Sequence, residues 1–152
     1  MKIMRKPKVN AAIILIVTAF YSLVFILTSG HIEFERMMNH TSTLTNAFWN
    51  GWSAFLVGGN LKYIGYIYIV LAGSILVLSF ARKHDYDEYQ TGILEKGVLI
   101  AGIIMVCLFP LALFLLLSDP GYSIETLTFL IVAHWSAVLI SDLIYVIKWG
   151  KS

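Results

Sequence analysis

The side chains best suited to chemistry lie in the last apolar segment. At 100° per residue, Ser141 and Tyr145 each fall within about 20° of His134 on a helix, with Asp142 beside them. The opposite face carries Phe129, Val132, Leu139, Ile140, Leu143 and Ile147. A carboxylate at the centre of a membrane span costs about 2.5–3.5 kcal/mol on insertion scales, so it marks a functional position by default. Asp142, however, lies only about five residues from the inner end of its span, within snorkelling reach of the interface. The expectation is a structural ion pair with Arg82 or Lys83, at the inner end of the second span. A proton-handling role is the alternative. His134 lies deeper, where packing, proton relay and haem ligation are its three uses. A haem needs a second axial ligand, for which Met105 is the only candidate on a facing span, so no cofactor is expected.

A second group precedes the second apolar segment, in His31-Ile32-Glu33-Phe34-Glu35-Arg36-Met37-Met38-Asn39-His40. On a helix His31 and Glu35 share a face, while His40 lies nearer Glu33 and Arg36. Zinc wants three or four convergent ligands, and the His-Glu-x-x-His pattern is absent. His31, Glu35 and His40 are therefore weak metal candidates, and solvated charges are the expected reading. Asn39-His40-Thr41 matches the glycosylation sequon.

The other motifs fail. There is no Gly-x-Ser-x-Gly, and Thr91–Gly97 lacks the Gly-Lys-Ser/Thr ending of a phosphate loop. Cys107 stands alone in an apolar run, which excludes an intramolecular disulfide and a thiol relay. No catalytic residue is expected. The mixed charges of Arg82–Tyr89 nearly cancel and read as a solvated connector.

The elements that must position these residues follow from where charge is missing. Of 152 residues, 59% are hydrophobic and only 13% charged, and the formal charge is +2. Mean hydropathy is +0.80. That composition excludes an ordinary soluble enzyme, a disordered chain and a nucleic-acid binder. Val9–Ser29, Tyr63–Ala81 and Gly97–Ser118 carry no charge, and Thr126–Ile147 carries only Asp142. Each run of about twenty residues matches the ~30 Å of a bilayer core. Period-two alternation is missing, so barrel strands are excluded.

The expectation is one integral membrane domain over residues 1–152. It is an all-α antiparallel bundle of four transmembrane helices, at about 9–29, 62–81, 97–118 and 126–147. The first span is too long for a signal-peptide core and reads as an uncleaved anchor. Small residues recur at Gly65, Ala72 and Ser79, at Gly97 and Ala101, and at Ala12 and Ala19, as helix seams in lipid require. Pro110 lies inside the third span, where it removes the hydrogen bond to Val106 and should kink the helix.

Between the first two spans, about 43–57 reads as an amphipathic interfacial helix. Phe48, Trp49, Trp52, Phe55 and Leu56 share one face, with Trp49, Trp52 and Phe55 as its membrane anchors. Val57-Gly58-Gly59-Asn60 then turns the chain into the next span.

Nine of the eleven basic residues fall on one side of the four-span layout; only Arg36 and Lys62 fall on the other. The positive-inside rule places both termini in the cytoplasm, in what is expected to be a bacterial cytoplasmic membrane. The expected partners are the lipid bilayer and either further copies of the chain or a larger membrane complex. The expected function is a non-enzymatic bundle that self-associates or supports a membrane partner. A small-solute or proton-coupled transporter using the fourth helix is the first alternative. A membrane enzyme with an outer His/Glu site is the second.

Overall fold

The computed structural model describes residues 5–38, 46–82 and 84–149. In chain order these form α1 (Pro7–Thr28), α2 (Ile32–Met38), α3 (Ala47–Val57), α4 (Leu61–Ala81), α5 (Glu88–Ser118), a 3₁₀ turn (Pro120–Tyr122) and α6 (Ser123–Trp149). There is no strand among the described residues. Helices α1, α4, α5 and α6 are long and apolar enough to cross a membrane, as the charge gaps predict. They run antiparallel, so both chain termini share one end, called here the terminal end.

Local chemistry sets the helix boundaries. Pro7 opens α1 at its first turn, where a missing N–H costs nothing. The chain leaves α1 through Gly30 (φ +77°) and enters α4 through Gly59 (φ +66°), two left-handed positions that favour glycine. These turns lie against each other. The Ser29 hydroxyl donates to the Gly59 carbonyl and accepts from the Lys62 N–H at 3.3 Å.

The largest departure from the sequence reading is the start of α5, at Glu88 rather than near Gly97. Asp87 and Gln90 form a reciprocal capping box: the Asp87 carboxylate accepts from the Gln90 N–H at 2.6 Å, and the Gln90 side chain accepts from the Asp87 N–H at 3.3 Å. The resulting 31-residue helix measures about 46 Å, so its first turns project beyond a ~30 Å apolar core. The connector before it is not solvated throughout, since Arg82 and Tyr86 are buried. Helix α5 also runs through Pro110 to Ser118 as one continuous helix.

Packing joins two helix pairs. Helix α1 lies on α4, α5 lies on α6, and α4 against α6 holds the pairs together. The α4 seam is the predicted one, with Gly65, Ala72 and Ser79 all buried. At Gly65 a Cβ would lie 3.1 Å from the Ser22 carbonyl oxygen and 3.3 Å from Ile26. On α1 the seam is Ala11, Thr18, Ser22 and Phe25 rather than Ala12 and Ala19. Lipid is as apolar as a protein seam, so hydrophobicity does not distinguish these adjacent registers. Outward-facing Ile16, Phe20, Val70, Val77, Val106, Phe114 and Leu117 supply the apolar surface a bilayer requires.

Because the α1–α4 approach at Gly65 is backbone-to-backbone, Gly65→Val should lower stability in detergent by about 1–3 kcal/mol, the usual cost of overpacking. Gly73, on the same helix with open space around it, is the control. Equal effects of Gly65→Val and Gly73→Val on thermal unfolding would show that this seam does not set the helix spacing.

Candidate functional site

The polar face predicted on the last helix divides in two. His134 and Ser141 turn toward α5. The His134 Nδ1 lies 3.2 Å from the Ala101 carbonyl, to which it donates, and a Cβ on Gly97 would lie 3.5 Å from Ser141 Cβ. This is the use of a packing histidine, two turns from Asp142. Asp142 and Tyr145 face the interior at the terminal end, where both are buried.

Asp142 does not pair with Arg82. Its Oδ1 accepts from the Asn10 side-chain amide of α1 at 3.3 Å. Oδ2 is buried and has no partner among the described residues. The Arg82 donors go elsewhere: Nε to the His84 carbonyl at 2.9 Å, one terminal nitrogen to Gln90 Oε1 at 2.7 Å, and the other to the Trp149 carbonyl. Its guanidinium also lies 4.7 Å from the Tyr86 ring centroid. The reason is depth. Arg82 caps the last turn of α6, and Asp142 lies seven residues, about 10 Å, further into the bundle. Lys83, the other proposed partner, lies outside the described residues.

Arg82 is thus the centre of a closure at the terminal end rather than a counter-ion. The Tyr86 N–H donates to the Arg5 carbonyl at 2.8 Å, and Arg5 pairs with Glu88 at 3.0 Å. The Tyr86 ring meets Tyr145 edge-on at 5.1 Å. Burial, with help from the nearby Asp142 carboxylate, pushes the Tyr86 phenol above its ordinary pKa, although Arg82 and the Ser79 hydroxyl pull it back.

The other end is organised by α3. Its aromatic face packs on protein as well as lipid: Phe48, Trp49 and Trp52 all contact Phe129, and Trp52 stacks on Phe55 at 5.5 Å. Two hydrogen bonds pin α3 to the first turn of α6. Trp52 Nε1 donates to the Glu125 carbonyl and the Ser53 hydroxyl to Glu125 Oε1, both at 2.9 Å. Glu125 is fully buried in the first turn of α6. It precedes the charge-free start of the fourth apolar run, yet lies inside the helix because α6 begins at Ser123 rather than near Thr126.

On α2, His31 and Glu35 are exposed, and Arg36 pairs with Glu33 at 2.8 Å. No cluster of metal-ligating side chains occurs among the described residues, and His40 lies outside them.

What remains open at the terminal end is a cleft of about 330 Å³, floored by α6 and walled by α1 and α5. Asn10 and Ile14 line one wall, Ile93, Gly97 and Ile100 the other, and Val138, Asp142 and Tyr145 the floor. Its lining residues Val98, Ile100 and Ile144 are exposed, so the cleft opens sideways into the lipid. This volume falls at the lower end of small-molecule sites. Tyr145 and Trp149 also line it, and the Tyr145 hydroxyl and Trp149 Nε1 are buried without a partner among the described residues. Asn10 is the site residue the sequence reading missed; its signal was a lone amide near the start of a charge-free run.

Without an Asp142–Arg82 pair, the stability losses of Asp142→Asn and Arg82→Gln should add to within about 0.5 kcal/mol in a double-mutant cycle. A coupling above about 1 kcal/mol, with the double variant regaining stability, would restore the ion pair.

No family model, curated protein or solved structure matches this chain.

Proposed function

We propose that this chain is a non-enzymatic membrane component that works by binding, and that the cleft beside Asp142 is where it does so. The observation that carries this reading is the buried Asp142 oxygen without a partner among the described residues, at the floor of a cleft open to lipid. A polar group in that position is costly unless something outside the bundle satisfies it. The exposed lining at Val98, Ile100 and Ile144 gives a membrane-borne molecule a lateral way in. Support of a membrane partner, the broader expectation, becomes specific in this form.

A transporter is the second reading, favoured by the same carboxylate. It needs a polar path across the bundle, and the main polar side chains just above Asp142 bond one another, while the Ser22 and Thr126 hydroxyls are buried without a partner among the described residues. Trp135 Nε1 donates to Thr18 Oγ1 at 3.1 Å, and the Tyr68 hydroxyl bonds both the Val132 carbonyl and Ser136 at 2.8 Å. Tyr21 and Phe25 close around them, with Tyr21 5.1 Å from Trp135 and Phe25 5.9 Å from Tyr68. This arrangement supports a dead-ended cleft rather than a conduit.

The membrane is proposed to be the bacterial cytoplasmic membrane, with the terminal end and its basic residues facing the cytoplasm. The cleft then opens into the inner leaflet. In a Cys107→Ser background, an impermeant thiol reagent should label Ser123→Cys in intact cells and leave Asp85→Cys unlabelled until the cells are opened; both positions are exposed. The reverse pattern would invert the topology.

Occupancy is tested with a photoreactive residue at Ile144, and with another at Val77 on the lipid-facing side of α4. Irradiated membranes should yield a discrete adduct at Ile144 that is absent at Val77. The same mixture of bulk-lipid adducts at both positions would refute binding in the cleft.

A further inference from the structure

The cleft's unmet hydrogen-bonding groups define what would fit it. Asp142 is 4% exposed, with one oxygen on Asn10 and the other bare among the described residues. A carboxylate accepts hydrogen bonds and attracts cations, so its complement is a charged donor. Among the described residues, the cations near the cleft do not take that place. Arg82 is bound to His84, Gln90 and Trp149. The Lys148 amine lies over the Trp149 ring, 5.5 Å from its centroid. Lys96, also lining the cleft, is exposed and forms no ion pair with Asp142. The Tyr145 hydroxyl, on the next turn of α6, is also buried without a partner among the described residues and can donate to an oxygen close to the cation. Apart from Ser141, the rest of the lining is apolar, with Ile14, Ile93, Ile100, Val138 and Ile144 among it.

We propose that the cleft recognises the protonated primary amine of a membrane-borne amphiphile, with Asp142 contacting the ammonium and the isoleucine-rich walls contacting its chain. This deepens the binding reading given above and rests on it. An ammonium presents three donors in a small volume, enough to satisfy Asp142 Oδ2 and leave donors for the Tyr145 hydroxyl, which also accepts. A phosphate or carboxylate headgroup would meet Asp142 as a like charge. An alcohol would satisfy the hydrogen bond without the charge, which separates the two in a test. The same ammonium chemistry comes from two sources, the headgroup of an ethanolamine phospholipid or a single-chain alkylamine.

The experiment uses the full chain reconstituted in phosphatidylcholine vesicles, where no primary amine is present. Dodecylamine, dodecanol and ethanolamine phospholipid are each titrated while thermal unfolding is followed. Dodecylamine, ethanolamine phospholipid or both should raise Tm saturably, and dodecanol should need at least tenfold more for the same shift. If only the phospholipid acts, the source is the bilayer; if only dodecylamine acts, it is a free amphiphile.

Asp142→Asn should weaken amine binding at least tenfold, and Asp142→Glu should retain part of it. Should Asp142→Asn fail to fold, Ile144→Trp provides the same test. Its side chain fills the mouth of the cleft from an exposed position and should abolish the saturable shift. Equal shifts from dodecylamine and dodecanol, or amine binding unchanged in the variants that fold, would overturn the amine assignment. A discrete Ile144 photoadduct would then still support binding in the cleft. If none of the three compounds gives a saturable shift and the photoadducts at Ile144 match those at Val77, both readings fail.

Discussion

Helices in a bilayer gain nothing from hiding apolar surface from one another, because the lipid offers the same environment. The bundle must therefore be held by close backbone approach and by a few polar contacts. Gly65 against Ser22 provides the first, bringing α1 and α4 to contact distance. Trp135 on Thr18 and Tyr68 on Val132 and Ser136 provide the second, fastening α6 to that pair. Helix α5 has less to hold it. It leans on α6 through Gly97, Ala101 and the His134 contact, and most of its surface faces lipid. With α5 on one side of α6 and α1 on the other, the space between them at the terminal end is left unfilled. The cleft is a consequence of that layout.

Both ends of the cleft-bearing helix are fixed. At its start, Glu125 takes Ser53 and Trp52 from α3. At its finish, Arg82 caps the Trp149 carbonyl and reaches Gln90 at the base of α5. A binding group works best when the elements that carry it are already in place. Asp142 sits on such an element, with Asn10 bonded to one oxygen and the other buried without a partner among the described residues. Removing Arg82 should therefore loosen the floor of the cleft without touching any ligand.

The four spans were legible because charge is absent from each for about the thickness of a bilayer, and nothing but a membrane explains that. The α4 seam was legible because Gly65, Ala72 and Ser79 differ in size from their neighbours. The α1 seam was read one register late, since Ala, Thr and Ser are small on either choice and lipid exposure leaves no mark in hydropathy. The start of α5 was hidden because an apolar-run argument ignores capping, and Asp87 with Gln90 extends the helix through charged turns. Asp142 was found because its charge is out of place. Of its two expected partners, Arg82 is bound elsewhere because depth along the helix axis separates it from Asp142, and Lys83 lies outside the described residues. Asn10, an amide rather than a cation, carries no charge to suggest the pairing.

The idea on which the function turns is that the bare Asp142 oxygen waits for an ammonium group brought in from the membrane. Its most direct test is a dipolar-coupling measurement by solid-state NMR, between ¹⁵N in bound dodecylamine and the ¹³C-labelled aspartate carboxyls of the protein in bilayers. Subtracting the Asp142→Asn spectrum isolates the Asp142 signal from those of the other aspartates. The predicted result is a coupling for an ammonium hydrogen-bonded to the carboxylate, with nitrogen about 2.8 Å from oxygen. A saturated sample with no coupling at Asp142 would contradict it.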